Sequence, residues 1–120
     1  MRRIELNEDH AKTIMTLGGI PAEISGASPR TAVILTQGWC PQWHAMNNYL
    51  QRMEEEAAAE TEELSVFYLV YDQIVFAEEF IQFKETRFSN DQIPFVLYYR
   101  GGQLKETTNY VSESTFLELF

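Results

Sequence analysis

The chain of 120 residues has a single cysteine. That count rules out an intrachain disulfide, a dithiol redox cycle within the chain, a Cys-rich zinc site and a secreted disulfide scaffold. Positive charge is scarce as well, with 9 Lys and Arg against 18 Asp and Glu and a net charge of −9. Nucleic acid and anionic membranes are bound through clustered Lys and Arg, so neither is expected as a partner. Long apolar runs are missing: no stretch approaches the ~18 residues of a membrane span. No apolar core follows Arg2 and Arg3, so a cleaved secretion signal is not expected, and the cytoplasm is the expected location.

What is present is apolar substance, at 45% of the residues with 13% aromatic. A chain of this length buries roughly two-thirds of its unfolded surface, enough for one domain over residues 1–120 with its own core. The negative charge is concentrated in Glu54, Glu55, Glu56, Glu60, Glu62 and Glu63, so the rest of the chain carries −3. Such a run reads as a solvated helix end.

Periodicity divides the chain into alternating elements. Arg3 to Leu6 is strand-like, and Asn7 can cap a helix that puts Ala11, Ile14 and Met15 on one face. Gly18-Gly19 ends that helix, and Ile20 to Pro29, punctuated by Pro and Gly, reads as a loop. Thr31 to Thr36 is apolar without alternation, as in a strand covered on both faces. Gly38-Trp39-Cys40-Pro41 turns into a helix, because proline suits a first turn that needs no amide donor. Trp43, Met46, Leu50, Met53 and Ala57 form its core-facing stripe. Val66 to Tyr71 is a second buried strand, and Phe76, Phe80 and Phe83 form a further helical stripe. Phe95 to Tyr99 meets Gly101-Gly102 and returns as Gln103 to Tyr110, a hairpin. Ser112 can cap a last helix with Phe116, Leu119 and Phe120. Alternation first and a hairpin last predict an α/β domain, with helices on both faces of a mixed sheet.

Cys40 is the residue with chemistry. It stands at a strand-to-helix junction, where exposed amides and the helix dipole favour a thiolate. Its plain alternative is a small buried apolar group. Cys40, His44 and His10 are too few for the four ligands of zinc, and no phosphate loop, Ser/His/Asp set or catalytic carboxylate pair can be placed. The site is therefore read without a metal.

The whole pattern resembles the thioredoxin family. The resemblance is carried by Trp39-Cys40-Pro41-Gln42-Trp43, standing where the family has Trp-Cys-Gly-Pro-Cys, and by Ile93-Pro94, standing where it has an Ile-Pro with a cis proline. It extends over the chain from about Ile4 to Phe120. It implies a thioredoxin-like fold, a central mixed sheet of about four to five strands flanked by about four helices. It also implies that Cys40 is the attacking thiol, beside substrate-facing Trp39, Pro41, Gln42, Trp43, Ile93 and Pro94. Backbone at Ile93 would then pair with an extended substrate, whereas the plain reading of Pro94 is a strand-start proline. The stretch from Tyr71 to Pro94 is longer than the family's connection and predicts a lengthened helix.

Four departures accompany the resemblance. Trp43 replaces the second, resolving cysteine; Ile34 stands where the family often has a buried acid; the accompanying lysine falls near Tyr68; and the small glycine of the family's substrate-facing loop falls near Tyr110 or Val111. An acid and a lysine that serve the resolving step lose their use with it, and burying them unpaired costs several kcal/mol. Trp43 has two readings, core residue or lid beside the sulfur, and His44 has two, solvated or approaching Cys40. The function expected is that of a degenerate, monothiol member of the family in cell redox homeostasis. No bound cofactor is expected; glutathione is a candidate co-substrate, and the partner is a protein or peptide thiol or a second copy of the chain. The alternative is a non-catalytic interaction module whose groove of Trp39, Trp43, Ile93 and Pro94, narrowed by Tyr110, binds a peptide.

Overall fold

A computed structural model describes residues 1–56 and 63–120 of the chain. Ala57, Glu60 and Glu62, expected in the helix stripe and the acidic run, lie outside the described residues. Five strands form one sheet in the order β1-β3-β2-β4-β5: β1 is Arg2–Glu5, β2 Arg30–Thr36, β3 Leu64–Val70, β4 Phe95–Arg100 and β5 Gln103–Thr108. β3 lies parallel to both β1 and β2, whereas β4 runs antiparallel to β2 and to β5. The sheet is therefore mixed.

Strand alternation divides the core in two. Val33 and Leu35 of β2 face one side with Phe67, Leu69, Phe95 and Leu97, and there they meet Ala11 and Ile14 of α1 (Glu8–Leu17) and Phe80 of α4 (Ala77–Arg87). Ala32 and Ile34 face the other side with Val66, Val96 and Tyr98, under Trp43, Met46 and Leu50 of α3 (Pro41–Glu56) and Phe116 of α5 (Glu113–Glu118). All of β2 from Thr31 to Thr36 is buried, which is why its sequence lacks alternation.

The local signals act as their chemistry requires. Asn7 accepts from the His10 amide at 3.1 Å while His10 Nδ1 accepts from the Asn7 amide at 2.9 Å, a reciprocal cap that engages one of the two histidines. Asn7→Ala should lower stability by about 1 kcal/mol in a denaturant titration. Gly101 and Gly102 both have positive φ, 58° and 80°, the geometry of a two-residue hairpin turn.

Two segments differ from expectation. Ile20 to Pro29 is not wholly a loop: Ala22–Ser25 form a single-turn helix, α2, that buries Ile24. Pro21, with φ −62°, sets up that turn, and four residues are too few to show a period. The stretch from Tyr71 to Pro94 does not hold one lengthened helix. It is divided into a 3-10 turn at Tyr71–Gln73, the 11 residues of α4 and a loop to Pro94.

Candidate functional site

The site lies past the C-terminal ends of β2 and β3, where the chain leaves β2 through Gln37–Cys40 and enters α3 at Pro41. This turn is pinned from both sides. The Gly38 amide donates to Asp72 Oδ1 at 2.9 Å, and the Gly38 carbonyl lies 2.6 Å from His44 Nε2. The Cys40 amide donates to Gln37 O at 3.3 Å, and the His44 amide to Cys40 O at 3.1 Å.

Cys40 is 5% exposed, and its thiol donates to Ile93 O at 3.7 Å. The Ile93-Pro94 peptide is cis. Cys40 forms part of the wall of an open cavity of about 440 Å³, together with Trp39, Pro41, Gln42 and Ile93. Gln37, Tyr71, Gln92 and two carboxylates, Glu85 and Asp91, complete the lining. Trp39 is 65% exposed, its indole N–H held by Gln37 Oε1 at 2.7 Å.

Five of the seven residues named from the sequence thus meet at one cavity. Pro94 is buried and does not line it; its carbonyl accepts from Asn109 Nδ2 at 3.1 Å. Of the two readings of Trp43, core residue or lid beside the sulfur, the core one describes it: it is 3% exposed, and its ring centroid lies 5.4 Å from that of Tyr68. The reason is visible in the register, which pairs Ile34 with Tyr68 across β2 and β3. Ile34, Trp43 and Tyr68, at three positions that depart from the thioredoxin pattern, pack into one core cluster with Cys40. His44 is spent on the Gly38 carbonyl rather than on the sulfur, and Tyr110, though exposed, does not line the cavity.

A polar network behind the cavity holds the loop that carries Ile93. Lys84 is 1% exposed, and its ammonium donates to Asn90 Oδ1 at 3.2 Å and to the Gln92 carbonyl. It also lies 5.3 Å from the centre of the Phe95 ring. Asn90 Oδ1 accepts in addition from the Gln92 amide and from Asn109 Nδ2, each at 3.0 Å, and Asn90 Nδ2 donates back to Asn109 Oδ1 at 3.0 Å. Burial pulls the Lys84 ammonium down from its ordinary 10.5 to about 8, against the smaller opposing pull of Glu85 and Asp91. Burial also raises Tyr71; a hydrogen bond with Gln37 opposes that shift, and the charges of Glu85, Asp72 and Cys40 add to it.

Sequence reasoning missed Lys84, Tyr71, Glu85 and Asp91. Lys84 had a signal. Phe76, Phe80, Lys84 and Phe88 recur at i, i+4, which places a lysine on an apolar stripe. Among the described residues, no three His, Cys, Asp or Glu side chains converge as metal ligands, and no helix is long and apolar enough to cross a membrane.

No protein-family model matches the chain, and no curated protein matches it. Solved structures do. Thioredoxin O1 from Arabidopsis thaliana, in its oxidised state, superposes with a TM-score of 0.65 at 11% identity, over 99% of this chain and 95% of that one. A protein described as a putative oxidoreductase with a thioredoxin fold gives 0.61 at 12% identity, over 98% and 92%. A point mutant of a thioredoxin from Halobacterium salinarum NRC-1 gives 0.64 at 10% identity, over 98% and 87%. The chain has the thioredoxin fold, with one cysteine at the site.

Proposed function

We propose that the chain captures a partner protein through a reversible mixed disulfide at Cys40 and does not act as a dithiol reductase. The observation that carries this reading is the pairing of Cys40 with the Ile93 carbonyl in the wall of an open cavity, while Trp43 occupies the resolving position inside the core. In the exchange, the Cys40 thiolate attacks one sulfur of a partner disulfide. A Cys40–partner bond forms, the original S–S bond breaks, and the leaving thiolate takes a proton from water. Cys40 is oxidised as the leaving sulfur is reduced. With no second thiol in the chain, release needs an external thiol. A reducing cytoplasm is the compartment that would supply one.

Capture of partners from cell extract by wild type and Cys40→Ser, with elution by reductant, tests this reading. Wild type should yield reductant-released partners, and Cys40→Ser should lose them entirely. Reduction of insulin disulfides should stay at background for both proteins, because no intramolecular step clears the intermediate. A second reading rests on the 65% exposure of Trp39: an exposed indole beside a cavity suits non-covalent binding of a peptide, with Cys40 incidental. Capture that survives Cys40→Ser but is abolished by Trp39→Ala would establish that reading and end the first.

A further inference from the structure

We infer that Glu85 and Asp91 make the Cys40 cavity selective by charge, so that it accepts a cationic extended segment of a partner protein and rejects anionic thiols such as glutathione. The inference rests on the mixed-disulfide reading above and names the partner it admits. Both carboxylates line the cavity that Cys40 opens into, and among the described residues no lysine or arginine lines it. Neither carboxylate belongs to an ion pair among the described residues. Asp72 adds a third negative charge behind the turn, where it accepts from the Gly38 amide.

Lys84, buried behind the cavity, offsets part of this field, but its charge does not line the opening. The Lys84 ammonium spends its donors inward, on Asn90 and the Gln92 carbonyl, and is buried. Arg87, on the same helix, is turned away and donates through Nε to the Gly18 carbonyl. A cavity walled by protein focuses the field of its rim charges, and such focusing changes encounter rates by tenfold or more at low ionic strength. Glutathione carries two carboxylates against one ammonium at neutral pH, and it would have to place them without a cationic partner. The amides of Gln37, Gln42 and Gln92 add hydrogen-bonding capacity without charge.

The experiment uses the full chain and three extended peptides, each with a central cysteine held as a disulfide with 2-mercaptoethanol and flanked by lysines, glutamines or glutamates. Cys40 attacks the peptide sulfur and 2-mercaptoethanol leaves. The second-order rate of adduct formation, followed by mass, is divided by the rate of the same peptide with free 2-mercaptoethanol, which removes the peptide's own reactivity. Oxidised glutathione is measured alongside. We expect the lysine peptide to react about tenfold faster than the glutamate peptide at 10 mM salt, where the Debye length is about 30 Å, with glutathione no faster than the glutamate peptide. The ratio should fall to about twofold or less in 0.5 M salt or in Glu85→Gln/Asp91→Asn. A wild-type ratio near one, or a ratio unaltered by the double substitution, overturns charge selection while leaving exchange at Cys40 standing. No adduct with any of the three peptides overturns exchange itself, and charge selection with it.

Discussion

Trp43→Ala is expected to lower the unfolding free energy by about 3–5 kcal/mol, the range for truncating a buried large aromatic. The indole is 3% exposed, lies 5.4 Å from the Tyr68 ring at a tilt of 37°, and belongs to the core cluster of Ile34, Cys40 and Met46. Truncation leaves a cavity that cannot collapse easily, because β2 and β3 hold Ile34 and Tyr68 in register and α3 is tied to the sheet through Met46 and Leu50. For a domain of this size the loss is a large share of the whole stability. Urea titration should show a lower midpoint at an unchanged slope. A lid over the sulfur would behave otherwise: a loss under 1 kcal/mol, with altered Cys40 reactivity, would return Trp43 to the substrate side.

Lys84 carries the second large effect, and it is seen against pH. The ammonium titrates near 8 in the folded protein and near 10.5 in the unfolded chain, because the native site is buried. Between these values the unfolded chain binds the proton that the native state has released, so stability rises with pH across that window. Below about 8 both states are protonated and the cost of the buried charge is fully present. The separation corresponds to about 3 kcal/mol. Tyr98 and Tyr99 act in the opposite sense. Burial raises both to about 12, so the unfolded tyrosines ionise first and stability is lost as pH climbs above 10. Wild type should therefore gain stability from pH 8 to about 10 and lose it beyond. Lys84→Met removes the rise and keeps the fall. The difference between the two unfolding free energies should change by about 2.4 kcal/mol between pH 7.5 and 10. Parallel curves would mean that Lys84 does not bury its charge.

The site follows from the same physics that made parts of the fold legible. β2, β3 and β4 were readable because buried strands spell continuous apolar runs, and the hairpin because only glycine accepts two positive φ angles cheaply. Cys40, Trp39, Pro41 and Gln42 were readable as neighbours in sequence at one strand-to-helix turn. Ile93 was legible through its resemblance alone, since its carbonyl reaches Cys40 only after β4 pairs with β2. Glu85 and Asp91 resemble any solvated surface charge in a sequence, and only the packing of α4, which carries Glu85, and of the loop after it, which carries Asp91, brings them to the cavity. His44 shows the limit of spacing arguments. Four residues after Cys40 it shares a helix face with the sulfur, yet the Gly38 carbonyl offers a better partner.

The packing of Ile34, Trp43 and Tyr68 couples three positions that lie far apart in the sequence. Trp43→Cys alone would hollow out the cluster that holds Cys40, with no acid at position 34 to take a proton from the new thiol. An acid at position 34 alone would bury an uncompensated carboxylate in that cluster, and a lysine at position 68 would leave Trp43 without its aromatic neighbour. Each substitution alone is expected to cost stability, so a second thiol grafted into this site needs its neighbours redesigned with it.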